Sequence, residues 1–360
     1  MEHLIQRNVP LNQYTTLHVG GVAEYFASVT NQAELSEALR FATQSEVPVL
    51  ILGGGSNVLI SDEGFSGLVI KMEIRGISYV AGVEETLVTA GAGESWDAVV
   101  AATVHEGLCG IQNLSGIPGT VGASPVQNIN AYGASVADTI RTVEVYDPAT
   151  NTLKILSNTE CQFGYRDSLF KQKVGEHLIV TAVTFALTKE SAINTSYASA
   201  SQSIKKYLFE KNCTAPTVVD VRQAILHVRS NIGMLLGQFR SAGSFFKNTI
   251  VTSEEFISIE AIVKKDFVDI SERLSPWHWP LDDGRVKIAT AFLFECSPYN
   301  KNTYGNKRLN GVVGLSPKHS LSIVTEEGAC AKDVALFVEM ITQAIKNIFD
   351  VTIETEVDFI

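Results

Sequence analysis

Leu52–Ile60 reads LGGGSNVLI, and the fold turns on how that stretch is read. The apolar run Val47–Leu52 before it has the length of a buried strand, and Val58–Ile60 behind it resumes as another. Between them Gly53, Gly54 and Gly55 let the backbone turn sharply and come close to a ligand, with successive N–H groups able to point at a diphosphate. No Gly-Lys-Ser/Thr follows, as a P-loop requires, and the GxGxxG spacing of a dinucleotide fold is absent. A bare GGG is equally what a tight turn looks like. Two more glycine clusters, Gly91-Ala92-Gly93 and Gly116/Gly119/Gly122, suggest instead a chain wrapped round an extended ligand.

Outward from this loop the chain alternates strand and helix. Asn31 is placed to cap a helix over 31–45, with Glu34 completing a capping box and Leu35, Ala38, Leu39 and Ala42 on one face. Leu68–Ile70 reads as a strand. A second helix starts near Glu94, turns Trp96, Val99, Val100 and Val104 inward, and is ended by Gly107. Residues 114–133 have little period of either kind, and a long irregular segment in a compact domain more often lines a site. Thr142–Tyr146, Thr152–Leu156 and Leu178–Leu187 read as strands, and 191–215 as a polar junction. Lys332–Phe349 is a strongly amphipathic helix. It leads to a final strand in which Val351, Ile353, Val357 and Phe359 alternate with polar residues.

At 360 residues the chain exceeds what one core organises, so two or three domains are expected. Its 45% apolar and 19% charged residues are those of a compact protein, and a net charge of −11 argues against nucleic acid or an anionic membrane as partner. Any anionic ligand must find its positive charge locally. Cys109, Cys161, Cys213, Cys296 and Cys330 form no CxxC pair and suit free thiols in a reducing cytoplasm rather than a metal or disulfide framework. No signal-peptide or membrane-span pattern is read, so a cytoplasmic protein is expected.

LGGGSNVLI, GAGE (Gly91–Glu94) and IPGTVGASPVQNINAYG (Ile117–Gly133) together resemble the FAD-binding half of the UDP-N-acetylenolpyruvoylglucosamine reductases. That half belongs to the wider vanillyl-alcohol-oxidase (PCMH) type of flavoprotein. The resemblance implies an α+β fold with a two-lobed FAD-binding domain over 1–193, split near residue 71. A separate α+β substrate domain over 194–360 would follow, its final strand 351–360 returning toward the flavin. It implies non-covalent FAD held by Gly53, Gly54, Gly55, Ser56 and Asn57, by Gly91, and by Pro118, Gly119, Thr120 and Gly122. Covalent attachment in relatives needs a His or Cys beside the loop, where this chain has Ser56 and Asn57.

Two further stretches extend the resemblance. In CQFGYRDSLFK, Arg166 matches an arginine near the substrate carboxylate, where a planar, permanently charged fork suits the anion. In SAGSFFKN, Ser244 matches the proton donor, and Lys247 and Asn248 fall among substrate-binding positions, as does Tyr132. Glu356 in ETEV matches the family's closing glutamate, although Thr355 replaces the usual proline. Tyr197 falls where one class of the family closes a loop tyrosine over the nucleotide phosphates. Counting back from Ser244 puts Ile232 where that class has a lysine, so either Lys247 and Arg240 supply the charge or nucleotide affinity is weakened.

The activity implied is NADPH-driven reduction of UDP-N-acetylglucosamine enolpyruvate to UDP-N-acetylmuramate, by a monomer, with no nucleic-acid or membrane partner and no metal. An oxidase of the same FAD-binding group would keep the glycine loops without needing FGYRDS and SAGSFFKN. A catalytically idle nucleotide-sugar sensor would be expected to have lost some of Arg166, Ser244 and Glu356.

Overall fold

A computed structural model describes residues 4–189 and 201–360. Contacts divide the chain into two compact units: Met1–Val9, Val22–Gly55 and Phe65–Leu236 form the first, and Pro10–Gly21, Ser56–Gly64 and Gly237–Ile360 the second. Among the described residues no helix is long and apolar enough to cross a membrane.

The first unit holds two sheets. One has four strands in the order Gln6–Pro10, Val22–Val29, Phe65–Met72, Val49–Leu52, the last three mutually parallel. Helix α1 (Gln32–Ser45) makes the crossover between the parallel strands and buries Leu35, Ala38 and Ala42. Asn31 caps it by accepting from Glu34 N at 3.0 Å, but the Glu34 carboxylate turns back to Thr30 N and Oγ1, at 2.7 and 2.9 Å, one residue earlier than a capping box on Asn31 would have it. The second sheet is antiparallel, in the order Thr152–Ser157, Ile140–Asp147, Ile179–Leu187, Thr86–Gly91, Ile77–Ala81. Helix α2 (Trp96–His105) seats Trp96 edge-on to Phe185, the ring centroids 5.8 Å apart. It ends as expected at Gly107, whose φ of 70° lets Leu108 N reach Thr103 O at 2.9 Å.

Helices α3 (Ser201–Glu210) and α4 (Val218–Asn231) pack on each other through Ile204, Leu208, Val221, Ile225 and Val228. Sequence reading puts them in the substrate domain, with a boundary at 193/194. By contact they belong to the first unit, and the division falls after Leu236. The cause is α4, whose two arginines bind the α2 end of the glycine segment, as described below.

The second unit has helices α5 (Ser253–Asp266), α6 (Val268–Arg273), α7 (Thr290–Glu295), α8 (Lys301–Tyr304) and α9 (Ala331–Phe349), with short sheets between them. The stripe expected on α9 is buried: Val334, Phe337, Ile341 and Ile345 are all 0% exposed. Its first turn is held by Asp62, whose two carboxylate oxygens accept from Ala331 N and Lys332 N at 2.7 and 2.9 Å.

The chain end departs from expectation. Only Asp358–Phe359 forms a strand, parallel to Val58–Leu59, and Phe359 is exposed rather than buried. Residues 351–357 are anchored by side-chain burial at Val351, Ile353 and Val357, and by single bonds to the SAGSFFKN segment. The strict alternation of period two therefore breaks at Glu356, which is turned inward and 9% exposed.

Phe337 packs against the rings of Tyr299 and Tyr304 at 6.0 and 5.3 Å. Phe337→Ala should cost about 3–5 kcal/mol in urea unfolding, the range for a fully buried phenylalanine. A loss below about 1 kcal/mol would show that α9 does not carry this core.

Candidate functional site

In the first unit the three glycine clusters meet. A Cβ on Gly54 would lie 2.8 Å from Gly119 Cα, and one on Gly53 2.6 Å from Thr120 Oγ1. No side chain fits there, so the approach of the two loops requires glycine. The 91–96 stretch then runs against 119–122: Trp96 N donates to Gly119 O at 3.1 Å, Val121 N to Glu94 O at 2.9 Å, and Gly122 N to Ala92 O at 2.9 Å. Gly53, Gly54, Gly119 and Thr120 are thus neighbours although far apart in sequence, and Gly122 lies beside Ala92, whereas Gly91 itself faces Ile74 and Arg75. The result is a junction of main-chain segments with no side chain between the Gly53–Gly54 and Gly119 backbones. Beside it stands a cation that sequence reading missed: Lys71 Nζ donates to the Gly53 carbonyl. Burial pushes its ammonium below the usual lysine range, with Glu73 opposing. The only signal in the sequence is a lysine interrupting the apolar run LVIKM.

The Arg166 turn is fastened to the same irregular segment. Asn128 Nδ2 donates to Gly164 O at 2.9 Å, and the buried Ser168 donates its hydroxyl to Val126 O at 2.5 Å. Gly164 N closes the turn on Asp167 O at 2.9 Å, with Arg166 at φ 52°. Tyr132, at φ 51°, is likewise left-handed. Such backbone costs of order 1–3 kcal/mol for a non-glycine residue, and persists where the surroundings dictate it.

Two arginines of α4 hold the start of the glycine segment. Arg222 forms a fork on Asp97 of α2, with N···O distances of 2.6 and 2.8 Å, and Asp97 also accepts from Gly116 N at 2.6 Å. Arg229, buried, donates to Gly116 O at 3.1 Å and Met234 O at 2.9 Å, and hydrogen-bonds the Tyr132 side chain. Burial pushes Arg229 below the usual arginine range, with Tyr132 and Asp97 opposing. Ile232, where a lysine would be looked for, is the half-buried C-cap of this helix. Tyr197 lies outside the described residues.

In the second unit SAGSFFKN and the chain end are laid side by side. Glu356 N donates to Phe245 O at 2.8 Å and Lys247 N to Glu354 O at 3.0 Å. Ser244 and Glu356, more than a hundred residues apart in sequence, therefore sit on adjoining backbone. Asn57 joins them: its Nδ2 donates to Glu356 O at 3.0 Å, and its own carbonyl accepts from Asp358 N at 3.0 Å. Phe245 and Phe246 are buried and lock the segment between the chain end and Phe294. Thr290, fully buried and unforeseen, donates its hydroxyl to Lys247 O at 2.6 Å, and its N–H donates to Asn248 Oδ1 at 3.3 Å. Lys247 Nζ pairs with the exposed Glu354 carboxylate at 3.0 Å.

Burial alone would raise the Asp97 carboxyl, but Arg222, Gly116 N–H and Arg229 outweigh it and hold it below the usual range. A depressed carboxyl stabilises the fold above its unfolded value of about 3.9 and loses that contribution as pH falls through the folded one. Arg222→Met should therefore lower the urea midpoint most near neutrality, with the gap to wild type closing below about pH 4. A gap independent of pH would mean that the fork is not electrostatically coupled to folding.

Two family models match the chain. Residues 23–156 match the family model of the FAD binding domain, and residues 234–360 that of the UDP-N-acetylenolpyruvoylglucosamine reductase C-terminal domain. The UDP-N-acetylenolpyruvoylglucosamine reductase of Thermobifida fusca is 38% identical over 97% of this chain and 96% of its own. That of Ralstonia nicotianae is 34% identical, with 98% of each chain covered. A crystal structure of the Thermus caldophilus reductase superposes with a TM-score of 0.65, covering 99% of this chain and 98% of that one at 23% identity, a likeness of fold. On the strength of the full-length matches, the chain belongs to the UDP-N-acetylenolpyruvoylglucosamine reductase family.

Proposed function

We propose that this chain is an FAD-dependent enzyme that reduces UDP-N-acetylglucosamine enolpyruvate to UDP-N-acetylmuramate with NADPH, as a cytoplasmic monomer in peptidoglycan precursor synthesis. The observation that carries the reading is the pairing of Ser244 and Glu356 on adjoining backbone, in a chain that keeps the Arg166 turn fastened to the glycine segment. The glycine junction of Gly53–Gly54 with Gly119–Thr120, with Lys71 beside it, suits the FAD diphosphate.

FAD, when bound, would supply the hydride chemistry between NADPH and the enolpyruvyl substrate. The protein's own part is charge and proton. Reduction at the β-carbon builds negative charge on the conjugated carboxylate, and the Arg166 guanidinium offers that carboxylate a planar, always-charged fork. The strained turn fixes where the fork points. Glu356, turned out of water, assists through a proton it holds or a water it orients. Ser244 gives its proton to the α-carbon, which completes the saturated lactyl ether. Within the second unit, Asn57 holds the Glu356 carbonyl through its side-chain amide and so helps to fix the acid–base segment.

In the absence of a lysine at 232, the charge for the substrate diphosphate falls in this reading to Lys247 and Arg240, with Asn248 beside them in sequence. Lys247 is already paired with Glu354, so the substrate competes with a solvent-exposed carboxylate, whose hold is weak. Cofactor domain and substrate domain correspond in this reading to the two units, with α3 and α4 as an outwork of the first.

Anaerobic stopped-flow separates the two half-reactions. Ser244→Ala should leave flavin bleaching by NADPH unchanged and slow reoxidation by the enolpyruvyl substrate by about a hundredfold or more, the weight of a positioned general acid. Unchanged turnover would remove Ser244 from the reaction. Lys247→Ala should raise KM for the UDP-sugar markedly with little change in kcat, and an unaltered KM would dispose of its role in holding the diphosphate.

A further inference from the structure

Lys71 is out of character with its strand. Phe65–Met72 is the inner strand of the parallel part of the first sheet, and Leu68, Val69 and Ile70 are all 0% exposed. Lys71 pairs in register with Leu52, the residue directly before the glycine loop, and with Ser28 on its other side. It therefore stands at the carboxyl ends of parallel strands, where such sheets place their ligands. A half-buried ammonium there costs free energy unless something compensates it. Among the described residues it has no ion pair. Glu73, the nearest carboxylate in sequence, is engaged by Ser28 Oγ at 2.6 Å and by Arg75 at 3.7 Å. What Lys71 does have is the Gly53 carbonyl.

That single bond has a directional consequence. In a trans peptide the C=O and the following N–H point opposite ways, so a Gly53 carbonyl held toward Lys71 aims the Gly54 N–H to the other side of the loop. The Gly53–Gly54 peptide has no Cβ to fix its orientation, and a glycine pair is free to flip it. We propose that Lys71 is a positioning residue of the cofactor site: it pins the Gly53–Gly54 peptide in its diphosphate-binding orientation and supplies fixed positive charge beside the loop of an acidic chain. The proposal rests on the FAD reading above and adds to it a residue outside the family motifs.

The test is FAD titration of the full-length protein after flavin removal, followed by flavin fluorescence, for wild type, K71M and K71R. Methionine keeps the apolar stem and removes the donor and charge, whereas arginine keeps both. K71M should raise the Kd for FAD by about ten- to a hundredfold, the factor that a hydrogen bond to a charged group is worth. K71R should recover most of that loss. The dependence of Kd on salt should be shallower in K71M, since one fixed charge is gone. The flavin-free K71M protein should melt no lower than wild type, because an apolar side chain replaces a desolvated cation. A merely structural lysine would lower the melting temperature and leave the salt dependence alone. Wild-type affinity in K71M, or equal losses in K71M and K71R, overturns the role of Lys71 while leaving the FAD reading intact. A wild-type protein that takes up no FAD overturns both.

Discussion

Much of the first unit depends on one steric constraint, the backbone contact between Gly53–Gly54 and Gly119–Thr120. At 2.8 Å from a hypothetical Gly54 Cβ to Gly119 Cα, no other residue is compatible with it. The contact joins the loop that leaves the parallel sheet to the segment that leaves α2, and so fastens the two sheets of the unit at one place. The neighbouring segments of this unit are tied to that junction. The 91–96 stretch is bonded to 119–122, Asp97 and Arg229 hold the N–H and the C=O of Gly116, and Asn128 and Ser168 fasten the Arg166 turn to the segment beyond.

The charge distribution follows the same logic. An acidic chain has no general attraction for nucleotides, so cations must be placed singly and held. Arg229 and Lys71 are both drawn out of water and both bound to carbonyl groups of the glycine segments, which keeps them in place. Arg222 is matched to Asp97 by a two-bonded fork, which lends direction as well as attraction. None of these three is in a motif: Arg229 and Lys71 bind backbone carbonyls, and Arg222 binds a side chain of α2.

Among the expected elements, those with a strong period were legible: α1 with its Asn31 cap, α2 with its glycine stop, α9 with its apolar stripe, and the strands that flank the glycine loop. The chain end was not. Period-two alternation over 351–359 suggests a strand with its acidic face in water, yet Glu356 is inward and Phe359 outward. Hydrogen bonds to Phe245 and from Asn57 reset the pleat at that point. Similarly α3 and α4 follow a polar junction and read as the opening of a new domain. Salt bridges and hydrogen bonds from two arginines draw them back to the first unit.

The sequence by itself determined the positions of the bends and the chemical identity of the groups that matter. Glycine's missing side chain, the permanent charge of arginine and the hydroxyl of Ser244 are local properties that need no neighbours to be recognised. Only the tertiary structure decided which of these groups stand together. The bond from Glu356 N to Phe245 O beside Ser244, the meeting of three glycine clusters, and the seating of Lys71 against Gly53 are contacts between distant residues. Such contacts are selected by whole-domain packing and backbone hydrogen bonding, of which no stretch of sequence carries more than one side.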